Sequence, residues 1–152
     1  MPFAHLLGTH LKSDNVLELL EMYDVEVIYD FDRTHENMPD RYWAGSKEQG
    51  FLLRFSEDQV LDTVFLYMTP REGYSAIDRI EVDVPIYESF DLALMAFQSG
   101  NIRFTHSGKV AGARERWWIK CATDFGTAHY QYGGEGQVVA ITLSSSVLAK
   151  DA

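Results

Sequence analysis

Cysteine is nearly absent from this chain of 152 residues, because Cys121 is the only one. A single thiol can form no internal disulfide and cannot supply the several thiolates of a structural zinc site. The first residues lack the basic stretch and apolar core of a secretion signal. No run approaches the roughly 18 apolar residues that a membrane-spanning helix needs. We therefore expect a cytoplasmic protein with no membrane partner.

Basic residues are also few. Thirteen lysines and arginines stand against 23 aspartates and glutamates, which gives a formal net charge of −10. Nucleic acids are bound through basic surfaces, because their phosphates are negatively charged. The composition therefore argues against a nucleic-acid partner. The same charge would attract a basic protein, although it could also serve only to keep the protein in solution.

The sequence motifs of common enzyme classes are missing. There is no GxSxG, no HExxH, no P-loop and no GxGxxG that opens a helix. The five histidines are scattered at positions 5, 10, 35, 106 and 129. Cys121 and His129 could form a thiol–imidazole pair, but strand alternation turns Cys121 towards the core, where a free thiol is usually inert. We predict no catalytic residue, no cofactor and no enzymatic activity.

Acidic residues are concentrated between Asp24 and Asp40, where six acids accompany one base, Arg33. Such a segment could imitate phosphates for a basic partner, or it could simply be a solvated rim. The spacing of Asp30, Asp32, His35 and Glu36 superficially resembles a metal site, yet it fits neither a zinc pattern nor a calcium loop. We predict no metal. The acidic residues assigned to partner binding are Asp30, Asp32, Glu36 and Asp40.

What the chain does contain is an apparent internal repeat. Residues 41–68 and 116–143 share an Arg-aromatic-Trp start, and the two triplets lie about 75 residues apart. The predicted helices begin at Asp14, after a Ser13-Asp14 N-cap, and at the capping residue Ser89, which have the same separation. The alternative is a chance likeness between two ordinary hairpin regions. The repeat predicts one compact domain made of two α-β units, residues 1–79 and 80–152.

Hydrophobic periodicity places the secondary structure. Helices are predicted over 14–23 and from Ser89 to Gly100. The predicted strands cover 25–31, 41–45, 50–56, 60–68, 80–84, 116–121, 126–132 and 137–146, and residues 101–105 occupy the place of the first strand in the second unit. The expected fold class is α+β, with two tandem helix-plus-four-strand repeats that form a mostly antiparallel sheet with helices packed on one face.

Strand alternation also assigns side chains to the face away from the helices. Tryptophan and arginine together on such a face are the residue types of protein–protein hot spots. Alternatively, each tryptophan lies beneath a loop and each arginine extends across it. Strand 60–68 has no clear face, because both of its sides are apolar. The residues assigned to this face are Arg41, Trp43, Arg54, Arg116, Trp118, Lys120, His129 and Gln131.

Tandem helix-plus-four-strand units of about 75 residues resemble the beta-lactamase-inhibitory-protein-like repeats and their single-unit relatives, the small BamE-like lipoproteins. The resemblance concerns element order and size over most of the chain, and no specific motif transfers. The chain differs from that inhibitor in lacking a secretion signal and paired cysteines, which argues against a beta-lactamase target. Its small size, acidity and single cysteine are similar to those of bacterial immunity proteins. That resemblance implies a rigid sheet that occludes the active site of a cognate toxin.

Three classes of function follow. The favoured one is a protein-binding inhibitor whose partner is a basic toxin or effector domain. The second is a small-ligand-binding or enzymatic domain with a pocket between helix and sheet near Tyr29, Trp43 and Tyr67. The third is a structural module that forms a homodimer through a sheet edge.

Overall fold

The computed structural model describes residues 2–30, 40–109 and 111–148, without the side chains of Asp30 and Arg114. Three α-helices lie in these ranges: α1 (Phe3–Leu6), α2 (Asp14–Met22) and α3 (Phe90–Ser99). The strands are β1 (Val27–Asp30), β2 (Arg41–Ser46), β3 (Phe51–Phe55), β4 (Leu61–Tyr67), β5 (Phe104–His106), β6 (Trp118–Thr123), β7 (Gly126–Tyr132) and β8 (Val138–Ser144).

All eight strands belong to one sheet, in the order β1-β2-β3-β4-β8-β7-β6-β5. Every neighbouring pair is antiparallel. The last strand, β8, pairs with β4 at the centre and sets Leu143 opposite Val64. This pairing joins the two halves of the chain into one continuous sheet, with β1 and β5 at its edges among the described strands.

The predicted class of two tandem helix-plus-four-strand repeats with helices packed on one face is wrong. The molecule is mostly a single eight-stranded sheet, and its helices have only 4, 9 and 10 residues. A ten-residue helix is about 15 Å long, whereas eight strands span roughly 34 Å. Helices of this length cannot form a layer over the sheet, and irregular segments complete the core.

The matching triplets behind the repeat are only partly equivalent in structure. Arg41 and Trp43 both lie within β2. Arg116, in contrast, ends a 3-10 turn, and β6 begins only at Trp118. Equal spacing along the sequence therefore did not give the two arginines equal positions in the fold.

The predicted strand at 80–84 is also wrong. Residues Arg79–Glu81 form a 3-10 turn, because the Asp78 side chain accepts a hydrogen bond from the Ile80 amide. The segment that follows lies against the core without pairing to a strand. Instead, two of its carbonyl oxygens accept hydrogen bonds from tyrosine hydroxyls. Tyr130 donates to the Pro85 carbonyl at 2.8 Å, and Tyr132 donates to the Tyr87 carbonyl at 3.1 Å.

The other elements lie close to their predicted places. Ser89 caps α3 by accepting a hydrogen bond from the Leu92 amide at 3.2 Å, and Gly100 follows the helix end. The capping prediction is confirmed for Ser89, whereas the side chain of Ser13, at the start of α2, makes no capping hydrogen bond. The helix at 14–23 and the strands predicted at 41–45, 50–56, 60–68 and 126–132 are present within two residues at each end. The short helix α1 was not predicted.

The two faces of the sheet differ sharply. One face carries the largest buried side chains, such as Phe51, Leu53, Ile119 and Tyr130, and the helices add Phe3, Leu19 and Phe97 to the same cluster. We call the opposite face the outer face. By strand alternation and register it carries Trp43, Leu52, Arg54, Thr63, Phe65, Tyr67, Ala140, Thr142, Ser144, Thr127, His129, Gln131, Trp118, Lys120 and Thr105.

Candidate functional site: a concavity on the outer face

The outer face contains a concavity of about 430 Å³ over the central strands. This volume is within the range of ligand pockets. Its floor is set by cross-strand register, which places Phe65, Thr142, His129 and Lys120 in one row across β4, β8, β7 and β6. The full lining is Phe65, Leu66, Tyr67, Arg71, Glu72, Lys120, Thr127, His129, Gln131, Ala140, Thr142 and Ser144.

Aromatic pairs flank this concavity on both sides. Trp43 stacks on Phe65 with ring centroids 6.3 Å apart, and Trp118 stacks on His129 at 5.3 Å. Both tryptophans are half-buried, so each indole keeps an accessible edge. The two halves of the chain thus each contribute one indole to the same face. Such rigid, partly exposed aromatic groups are the anchors of protein interfaces.

Lys120 contributes one of the cations of the site. It lies opposite His129 in the register of β6 and β7, and within the described residues no carboxylate forms an ion pair with it. Burial, with a smaller contribution from the Lys120 charge, lowers the pKa of His129 to about 4. The imidazole is therefore neutral near pH 7, and one of its nitrogens is a donor while the other is an acceptor.

Thr127 lies on the floor with an unsatisfied hydroxyl. The residue is 1% exposed, and its Oγ1 has no hydrogen-bond partner among the described residues. Ser13 and Thr123 have similar hydroxyl groups, but of the three residues Thr127 is the one that lines the concavity. A buried hydroxyl without a partner is unfavourable, commonly by about 1–3 kcal/mol. Among the described residues, Thr127 therefore places a donor without an acceptor at the floor of the concavity.

One wall comes from the loop after β4. Tyr74 of this loop stacks on Tyr67 with ring centroids 4.5 Å apart. Arg71 reaches the Gln131 side-chain oxygen at 3.5 Å and lies 4.0 Å from the Glu72 carboxylate. Both contacts are long and the groups are largely exposed, so the Arg71 guanidinium can turn towards an incoming anion.

The predicted residues Arg41 and Arg54 lie beside the concavity, and both already form ion pairs with a carboxylate of this chain. The Arg54 Nε donates to Asp62 at 3.0 Å, and its Nη2 donates to the Thr63 hydroxyl at 2.8 Å. Arg41 approaches the same Asp62 carboxylate at 3.9 Å. One acid thus holds two arginines, which orders them and leaves the cluster with one net positive charge.

The other predicted residues are dispersed. The structure brings Trp43, Trp118, Lys120, His129 and Gln131 onto the outer face, whereas Arg116 is exposed in the turn before β6. Asp40 lies near the sheet edge and accepts a hydrogen bond from Tyr29. Asp32, His35 and Glu36 lie outside the described residues, as does the side chain of Asp30.

The structure separates two groups of residues that the sequence analysis considered together. Cys121 lies on the core face and His129 on the outer face, so the thiol and the imidazole do not form a pair. Tyr29, Trp43 and Tyr67 do not line one pocket either, because Tyr29 pairs with Tyr42 on the core side of the sheet. In the described part of the chain, no group of three His, Cys, Asp or Glu residues is arranged to hold a metal ion.

We expect the Cys121 thiol to react very slowly in the folded protein. Burial raises its pKa to about 11, so the thiolate fraction at about pH 8 is about a hundredfold below that of a free cysteine. Timed reaction with Ellman's reagent should show at least that reduction in rate, and reaction in denaturant should be fast. A native rate equal to the denatured rate would show that this thiol is accessible.

Sequence reasoning missed Thr127, Arg71, Glu72 and Phe65 as residues of the site. Alternation placed Thr127 with His129 and Gln131, but a threonine in a strand gives no sign that its hydroxyl lacks a partner. Phe65 belongs to the strand whose two sides are both apolar. Arg71 and Glu72 come from a loop whose path depends on Tyr74, and no sequence signal marks that path.

Searches against protein-family models, curated proteins and solved structures found no significant match to this chain. The described helices include none with the length and apolar composition required to cross a bilayer.

Proposed function

We propose that this protein is a cytoplasmic protein-binding inhibitor of the immunity type, which neutralises a cognate bacterial toxin by covering its active site. The observation that carries the proposal is the outer face itself, where Trp43 and Trp118 flank a concavity on a rigid sheet. Inhibition of this kind needs no covalent chemistry. It requires a surface that excludes water and substrate from the partner.

Rigidity supports this proposal. The outer face is formed by central strands that are hydrogen-bonded on both sides, and its arginines are held by Asp62. Side chains that are ordered before binding lose less conformational entropy on association. A paired sheet therefore presents its aromatic anchors at low entropic cost.

Charge favours a basic partner. The net charge of −10 would accelerate encounter with a cationic protein at low ionic strength. The acids assigned to the segment between Asp24 and Asp40 would contribute to this steering. We expect the association rate, more than the dissociation rate, to fall as salt is added.

The experiment is affinity capture from the native host with the wild-type protein and two variants. Trp43→Ala and Trp118→Ala should each weaken partner binding by about 2 kcal/mol, or roughly thirtyfold, with little change in melting temperature. Calorimetry on the captured complex gives the affinities, and thermal unfolding gives the stabilities.

Trp117 offers a matched control. It packs against Phe90 at a centroid distance of 5.6 Å and belongs to the core side. Trp117→Ala should therefore lower stability and leave partner affinity largely intact. Equal loss of affinity in all three tryptophan variants would refute binding through the outer face.

A further inference from the structure

The concavity has a local charge opposite to that of the whole molecule. Lys120 and Arg71 contribute two positive charges, Glu72 contributes one negative charge, and these are the charged residues of its lining. With His129 neutral, the sum near pH 7 is +1, although the chain as a whole has −10. A single negative charge on a ligand would neutralise the concavity.

The hydrogen-bonding groups of the lining also suit an anion. Lys120 supplies ammonium donors, Arg71 supplies guanidinium donors, and the Thr127 hydroxyl is a donor that lacks an acceptor among the described residues. Gln131 and His129 can each add an N–H. Charge-assisted hydrogen bonds of this kind are the strong ones, and a planar carboxylate with two oxygens can receive several at once.

Building on the proposed function, we propose that the concavity is a carboxylate-binding pocket that receives the side chain of one aspartate or glutamate of the protein partner. The partner is basic overall, so its acidic residue is an exception on its own surface. A single acidic residue at the centre of a basic interface fixes the orientation of the partner. In any other orientation this residue would lie against the acidic surface of this protein and be repelled.

The available cations determine where in the concavity a carboxylate would bind. Arg41 and Arg54 share the carboxylate of Asp62, and Lys109 pairs with Asp91 at 2.5 Å. Lys120 has no such acid among the described residues. An incoming carboxylate therefore gains most beside Lys120, where it also finds the unsatisfied Thr127 hydroxyl.

The shape favours a side chain over a free acid. The concavity is open along the outer face and continuous with Phe65, against which Trp43 stacks. Small-molecule sites usually enclose most of the ligand surface. A side chain delivered by a protein needs no such enclosure, because the surrounding interface excludes water once the partner is bound.

The test is a nuclear magnetic resonance titration that needs no partner. The probe is N-acetyl-glutamate N-methylamide, and the neutral isostere is the corresponding glutamine compound. We expect saturable shifts at Lys120, Thr127 and His129 with the glutamate probe only. Absence of shifts with the glutamate probe, or equal shifts with both compounds, would overturn the proposal.

Two variants make the test specific. Lys120→Met and Thr127→Val should each weaken probe binding about tenfold. Lys109→Met removes the same charge at a distance from the concavity and should leave binding unchanged. Thr127→Val should not lower stability, because it removes a hydroxyl that lacks a partner. A stability loss in that variant would show that the hydroxyl is used in folding and would overturn its assigned role.

Free succinate distinguishes the two sources of a carboxylate. Tighter binding of succinate than of the blocked glutamate would assign the pocket to a free small acid and overturn the side-chain proposal. Failure of the capture experiment would count against the inhibitor function, whereas the titration reports on the pocket alone. A captured partner that binds Lys120→Met as tightly as wild type would overturn the pocket assignment and leave the inhibitor function standing.

Discussion

Gly126→Ala is expected to lower the free energy of unfolding by more than about 3 kcal/mol, a large part of the stability of a domain of this size. Gly126 begins β7 with φ +141°, a conformation that side-chain-bearing residues rarely adopt. A Cβ there would lie 2.1 Å from the Ser144 carbonyl oxygen and 2.9 Å from the Ser145 Cα. Both atoms are backbone, so relief requires β7 and β8 to separate.

Gly8→Ala is the matched control. Gly8 also has a positive φ, +85°, but no described atom lies within 4 Å of the Cβ that alanine would add. The Gly8→Ala variant should therefore lose only about 1 kcal/mol of stability, which is the conformational penalty of a side chain at positive φ. Urea unfolding followed by tryptophan fluorescence compares the two variants directly. Similar losses at both positions would show that crowding between β7 and β8 is not what requires glycine at 126.

The β7–β8 pair matters for function because β8 connects the two halves of the concavity. Thr142 of β8 lies between Phe65 of β4 and His129 of β7 in one cross-strand row. Four of the anion donors come from the second half of the chain, whereas Arg71 and Phe65, with Trp43 behind it, come from the first. Separation of β7 from β8 would therefore move His129 and Lys120 away from Phe65.

Local elements were predictable, because each depends on neighbours in sequence. Ser89 marks the start of α3, and alternation in Phe51, Leu53 and Phe55 marks both a strand and its buried side. The pairing of β4 with β8 joins residues far apart in the chain, and alternation contains no information about it. The predicted fold failed at this longer range, where a similar spacing of two triplets suggested repeated units.

The face of β4 shows a second limit. Both sides of this strand are apolar. Val64 and Leu66 are buried in the core, and on the outer face Phe65 and Tyr67 each stack on another aromatic ring. Alternation distinguishes faces only when one of them is polar. The concavity was missed for a related reason, since one end of its floor is Phe65, which lies on the strand whose faces the sequence could not separate.

Acidification should destabilise the protein through His129. The folded state holds the pKa of this imidazole at about 4, mainly through burial, while an unfolded histidine has a pKa of about 6.5. At a pH between these two pKa values, the imidazole of His129 is protonated in the unfolded chain and neutral in the folded protein. The contribution of the neutral imidazole to the free energy of unfolding is therefore complete above about pH 6.5 and is lost as the pH falls towards 4. Because the ring is only half-buried, we expect a loss of about 2 kcal/mol.

His129→Gln isolates this contribution, because it removes the imidazole and leaves every carboxylate of the chain in place. Urea unfolding at about pH 7 and about pH 4.5 should show a smaller acid-induced loss of stability in the variant than in the wild type. Lys120→Met should also reduce the loss, since removal of the neighbouring charge lets the pKa of His129 rise; Arg71 and Glu72, which share the concavity, remain in place. Identical pH dependence in wild type and His129→Gln would contradict a neutral, desolvated imidazole in the folded protein.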